Sequence, residues 1–122
     1  MRNRFTFSFS DLPSSLPIFP LSGAVLLPNG QLPLNIFEDR YLSMINDALS
    51  NSRLVGMVQP KNNADKTHDE LYATGCAGRI VSFSETRDDR YLIILAGVCR
   101  FDIKEEIECA NGYRRAEVVW DR

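Results

Sequence analysis

The spacing of apolar positions changes along this chain, and each change marks an element. Between Asp39 and Ser50, Tyr41, Leu42, Ile45, Ala48 and Leu49 fall on one face at helical spacing. This predicts an α-helix over about 39–50. Glu38 and Asp39 stand at its start, where carboxylates can accept orphan backbone N–H groups, and Ser50-Asn51-Ser52 ends it. Arg53 to Val58 then reads as a buried strand. Further on, Cys76–Ser84 and Tyr91–Val98 flank the charged link 85–90, which predicts a hairpin. Phe101, Ile103 and Ile107 alternate largely with Asp102, Lys104, Glu106 and Glu108, the period of a strand with one wet face. Asn111-Gly112 separates that run from Tyr113–Trp120, and this dipeptide suits the positive φ values of a tight hairpin turn.

Residues 11 to 37 hold five of the six prolines, so short extended pieces joined by turns are expected there. We place strands near 16–19 and 31–37, with a turn at Pro28-Asn29-Gly30. Because proline removes a ladder donor, proline-bearing strands should lie at sheet edges or strand ends. Pro20, Pro33, Gly75 and Gly97 are expected to set backbone geometry. Gly75 and Gly78 in particular suggest a bulge or close backbone packing. The segment from Pro60 to Glu70 reads as a polar surface loop, and residues 1–13 as a tail or added strand before one domain over 14–122. Many strands with one main helix make the chain mainly β (α+β), and a partly closed barrel would hide most of the sheet edges.

Composition narrows the classes of function. The chain has 122 residues, 44% hydrophobic and 25% charged, as expected of one globular domain. A formal charge of −2 provides no overall positive field for nucleic acid. Arg79, Arg87, Arg90, Arg100, Arg114 and Arg115, beside Phe83 and Tyr91, resemble a single-strand binder's pattern, but acidic residues share the same strands and turns. No run approaches the ~20 apolar residues of a membrane helix, so no membrane partner and a cytoplasmic location are expected. Cys76, Cys99 and Cys109 show no C-x-x-C spacing and read as free thiols. The one histidine, His68, could meet a cation with Asp65 and Asp69, yet the segment reads as solvated loop. Phosphate-loop and nucleophile-elbow motifs are lacking. We therefore expect no catalytic residues, no cofactor and no metal.

Two ordered stretches carry a family likeness: Leu16-Pro17-Ile18-Phe19-Pro20-Leu21, and Leu32-Pro33-Leu34-Asn35-Ile36-Phe37-Glu38-Asp39-Arg40-Tyr41. The likeness continues through the helix, the strand Leu54–Gln59, the segment Leu71–Ile80 and the strand Leu95–Phe101. In this order they resemble the N-terminal domain of Lon proteases, especially its stand-alone bacterial relatives, over roughly residues 14 to 120. The resemblance implies a PUA-like pseudo-barrel and a non-catalytic module that recognises unfolded or extended polypeptides or protein partners. ATP hydrolysis and Ser-Lys proteolysis would belong to later domains. It also implies a helical segment after the last strand, which this chain lacks, so apolar surface is expected to be bare and self-association is a competing outcome. An N-terminal fragment of an ATP-dependent Lon protease is a second reading. RNA binding, by analogy with other PUA-like barrels, is a third. For contacts with a partner, Phe37, Arg40 and Tyr41 stand where strand passes to helix, although Phe37 and Tyr41 also suit a core.

Overall fold

The computed structural model describes residues 12–61, 70–107 and 111–121. The tail up to Asp11, the possible ligands Asp65, His68 and Asp69, and Cys109 lie outside the described residues. Six strands and one helix follow in the order β1 (Ser15–Pro20), β2 (Gln31–Ile36), α1 (Asp39–Leu49), β3 (Leu54–Val58), β4 (Thr74–Glu85), β5 (Tyr91–Ile107) and β6 (Arg114–Trp120). The strand order is β2-β5-β4-β3-β1-β6, and β6 also pairs with β5. Five strands thus close into a barrel, and β2 hangs outside the ring on β5.

β5 makes this possible because it is one strand of 17 residues, where the apolar pattern predicts two. Its first half, Tyr91–Ala96, pairs with β2, and its second half, Phe101–Ile107, pairs with β6. The change of partner coincides with a register shift against β4 between Ala77 and Gly78, where Gly97 follows Cys99 in the pairing and Val98 is left over. Such a bulge bends and twists a strand, so one chain segment serves an open sheet and then a closed one. Gly97 fits this place for a second reason. A Cβ there would stand 2.0 Å from the Leu27 carbonyl oxygen, because the loop before β2 crosses directly over it.

Two cores result. Leu16, Ile18, Leu54, Val58, Ala77, Phe101, Ala116 and Val118 fill the barrel. Phe101 is fully buried and meets Trp120 edge-on, with ring centroids 6.0 Å apart. Burying such a ring contributes roughly 1.5–3 kcal/mol. The alternate residues of the same strands, including Phe19, Val55, Met57, Cys76 and Ile80, point outward into a second core, which α1 and Leu26 of the loop after β1 complete. The buried helix face is Tyr41, Met44, Ile45 and Ala48, the i, i+3, i+4, i+7 set. Met44, missing from the expected face, is central to it, while Leu42 and Leu49 are only partly buried.

Several expectations about termini and edges are refined. Glu38 is the N-cap of α1 but makes no side-chain cap bond. Its carboxylate lies 3.8 Å from Arg40 instead, as a longer side chain than the favoured Ser, Thr, Asp or Asn. The Asn29 turn forms as expected, with φ of +68° and the Gly30 N–H donating to the Leu27 carbonyl. Arg53 is not in a strand. Its φ of +64° is left-handed, and its N–H closes the helix end by donating to the Ala48 carbonyl. Pro33 lies on an edge strand as expected. Pro17, however, lies in the interior strand β1, which is tolerated because β1 splits its pairing: Ser15–Ile18 face β6, and the β3 ladder begins only at Ile18.

Candidate functional site

The first half of β5 is Tyr91-Leu92-Ile93-Ile94-Leu95, apolar at every position, so both faces of this part of the sheet are apolar. One face is spent on the helix: Ile93 and Leu95 are buried with Ile36 in the core that α1 covers. The other face has no such cover. There Pro33 and Asn35 of β2, Leu92 and Ile94 of β5, and Ser82 and Ser84 of β4 line an open depression of about 540 Å³. Leu92 is 46% exposed, and Val81, in the second irregularity of β4, is 51% exposed. Exposed apolar surface gathered in one place, with hydroxyl and amide groups beside it, is a feature of binding surfaces.

The free edge of β2 bounds this face. The Gly30 carbonyl accepts from the Gly97 N–H at 2.8 Å, and from there the alternation turns the backbone groups of Leu32, Leu34 and Ile36 toward β5. Those of Gln31, Pro33 and Asn35 face outward. Proline has no N–H, so the middle of the open edge lacks a donor, and a second strand would find an interrupted ladder. The apolar face is better suited to hold a chain than the edge is.

The residues at the strand-to-helix junction divide. Tyr41 is buried, stacked at a tilt on Phe19 with centroids 4.5 Å apart, and burial pushes its phenol above the usual value. It belongs to the core. Phe37, also suited to a core by sequence, is instead 62% exposed. It lies beyond the end of β2, and the Arg90 guanidinium stands 5.7 Å from its ring centre. Arg40 is half-buried, 4.9 Å from the Tyr41 ring and near Glu38. Around the corner Phe83 and Tyr91 meet edge-on at 4.9 Å, and the Tyr91 hydroxyl donates to Asn46 of α1. Of the three junction residues, Phe37 alone offers an open apolar surface. Leu92, Ile94 and Val81 were missed by sequence reasoning, although the unbroken apolar run of β5 carries the signal.

Ionisable groups here serve structure. Arg90 pairs with Asp88 at 3.1 Å, and Arg114 forms a two-pronged contact with Glu106 at 2.8 and 2.9 Å. The Asp47 carboxylate is held below the usual range by hydrogen bonds from Tyr113 at 2.6 Å and Asn111 at 2.9 Å, which tie α1 to the β5–β6 turn. Burial pushes the Cys76 thiol up to about 11, the opposite of an activated nucleophile. Among the described residues no three of His, Cys, Asp and Glu gather where they could hold a metal ion.

The model of the ATP-dependent protease La (LON) substrate-binding domain matches residues 15–121. The chain belongs to the LON substrate-binding domain family. It is 30% identical over 115 residues to the Lon protease of Anaeromyxobacter dehalogenans, covering 92% of this chain and 14% of that protease. The Lon protease of Dictyoglomus thermophilum is 31% identical over 124 residues, covering 100% of this chain and 16% of the protease. The LON domain described here therefore spans a small part of the length of these relatives. Among solved structures, the Lon N-terminal domain protein from Xanthomonas campestris superposes with a TM-score of 0.72 at 31% identity, over 90% of this chain and 61% of that one. The N-terminal domain of the Mycobacterium avium complex Lon protease gives 0.70 at 15% identity, over 88% of this chain and 55% of that one, a likeness of fold. The barrel with one helix is thus the fold of Lon N-terminal domains.

Proposed function

We propose that this LON domain holds unfolded or extended polypeptide on the uncovered face of the β2-β5-β4 sheet, and that it acts by binding alone. The observation that carries the reading is the open apolar face of Pro33, Leu92 and Ile94, with Ser82, Ser84 and Asn35 beside it. An unfolded chain exposes apolar side chains at intervals, and its backbone can bond to the flanking hydroxyl and amide groups. Phe37 extends the same apolar character to the end of β2. RNA binding draws less support, because Arg90 and Arg114 are already engaged by Asp88 and Glu106. We assign ATP hydrolysis and peptide cleavage to none of its residues, whether the module works alone or within a longer protease. We place it in the cytoplasm, where free thiols such as Cys76 and Cys99 persist.

The test is a titration with a reduced, permanently unfolded model protein, followed by fluorescence anisotropy in low and moderate salt, with light scattering in parallel. Binding should persist in moderate salt, since apolar burial is barely screened. Leu92→Asp, on an exposed position, should weaken it about tenfold or more without lowering the unfolding free energy by more than ~1 kcal/mol. Unchanged binding by that variant refutes the assignment of the face. A concentration-dependent dimer that Leu92→Asp abolishes would instead make this face a self-association surface.

A further inference from the structure

A second cleft lies away from this face, between the loop that follows β1 and the start of β4. Val25, Leu26, Leu27, Met57 and Tyr72 supply its apolar lining, and Arg100 stands at its side. The loop is pinned rather than loose: the Leu21 N–H donates to Val58, the Gln59 amide to the Ala24 carbonyl, and the Asn29 N–H to Gly97. The space is about 230 Å³, below the ~300 Å³ at which sites for drug-sized molecules begin. One side chain of a larger ligand fits that size. Val25 is 65% exposed and Tyr72 is 51% exposed, so the cleft opens to solvent between them.

Its charge is specific. Arg100 is the one ionisable cation along a lining that is otherwise apolar or neutral, and among the described residues it forms no ion pair. The nearby hydroxyl of Thr74 is already committed, donating to Asp102 at 2.6 Å. A planar guanidinium with open donors beside an apolar hole matches a carboxylate attached next to an apolar side chain. In a polypeptide that pair of groups occurs on one residue at the C-terminus.

We infer that this cleft receives the C-terminal residue of a bound polypeptide, its apolar side chain inserted between Val25 and Tyr72 and its α-carboxylate on Arg100. The inference rests on the reading that the domain binds polypeptide, and it adds a preference for free, apolar C-termini. The open sheet face would hold the preceding chain without sequence stringency. The Arg100 clamp would decide which end is presented.

The experiment uses fluorescein-labelled Gly/Ser-spaced peptides ending in leucine as the free acid, the same peptide amidated, and an amidated peptide with glutamate after the leucine. The free acid should bind about tenfold more tightly than the amide, the low end for a charge-assisted bond. Arg100→Gln, at an exposed position, should bring the acid down to the affinity of the amide and leave the amide unchanged. Equal binding of acid and amide by the unaltered domain overturns the inference, as does equal binding of the glutamate-bearing amide and the free acid. In either case retained binding that Leu92→Asp abolishes leaves the sheet-face reading standing. If no peptide binds, the inference falls as well, and the unfolded-protein titration decides the sheet-face reading separately.

Discussion

The barrel interior is built around one ring, and two glycines make room for it in different ways. A Cβ on Gly56 would stand 2.8 Å from Phe101 Cζ and 3.0 Å from Ile18 Cδ1, both side-chain atoms. A Cβ on Gly75 would also meet Phe101 Cζ, at 2.9 Å, but its closest neighbour is the Met57 carbonyl oxygen at 2.4 Å. Side chains can be trimmed, whereas the Met57 carbonyl is fixed by the β3–β4 ladder. Gly56→Ala should therefore cost about 2 kcal/mol as overpacking, and Phe101→Leu about 1–2 kcal/mol as lost burial. Combined, they should cost at least ~1 kcal/mol less than their sum, because the smaller side chain vacates the space that the new methyl needs. Gly75→Ala should cost roughly 3 kcal/mol or more, and Phe101→Leu should relieve little of it. Urea unfolding followed by the fluorescence of Trp120, the one tryptophan, gives all the values in a single series. Additivity of Gly56→Ala with Phe101→Leu, or equal rescue at both glycines, would refute this account of the barrel centre.

Three further outcomes follow from local geometry. Gly112 has φ of +87°, and a Cβ there would stand 3.5 Å from Arg40 Cβ, an ordinary contact, so the cost of Gly112→Val should come from the backbone and be on the order of 1–2 kcal/mol, read as a lower urea midpoint with an unchanged slope; an unmoved midpoint would count against the turn. The Asp47 carboxylate is depressed by its hydrogen bonds to Tyr113 and Asn111, so its stabilisation is complete above the usual aspartate value and fades as pH falls through the lower folded value. Asp47→Asn should accordingly lose stability at pH 7 and flatten the acid limb below about pH 4, while parallel pH profiles would exclude the linkage. Cys76, buried and with its thiol at about 11, should resist iodoacetamide at pH 8 until urea unfolds the chain, and mass-spectrometric labelling of the native protein at Cys76 would contradict the packing.

What the sequence disclosed and what it hid follow the range of the interactions. α1 and the turn at Asn29 are local, set by helical spacing and by positive-φ tolerance, and both stand where the pattern places them. The link at 85–90 is local too, with the Thr86 N–H donating to the Arg90 carbonyl. The continuity of β5 was hidden because the apolar run stops at Val98 and an alternating pattern starts at Phe101, whereas the bulge between Gly97 and Cys99 carries one strand through both. Pro17 was misread as an edge marker because nothing local tells that β1 exchanges one partner for another at Ile18. The left-handed Arg53 is likewise invisible to a periodicity argument. For the candidate site, junction residues were legible as a position but not as faces: Tyr41 turns inward and Phe37 outward. Only the doubly apolar run of β5 carried the uncovered face, and an apolar run alone does not say which side a helix takes.

The partner exchange of β5 also separates the costs of changing the molecule. Phe101–Ile107 builds the ring, and of its residues Phe101 is buried in the barrel core, where truncating a large side chain typically costs a few kcal/mol. Tyr91–Ala96 carries the open sheet, where Leu92 and Ile94 face away from α1, and exposed substitutions typically move stability by no more than ~0.5 kcal/mol. A binding face placed on this half can change its chemistry while the barrel stays intact. The same reasoning sets where selectivity can be engineered. Exchanging Leu92, Ile94 or Arg100 should alter what is bound without unfolding the domain, whereas the glycines around Phe101 cannot be exchanged without rebuilding the centre on which both halves of β5 depend.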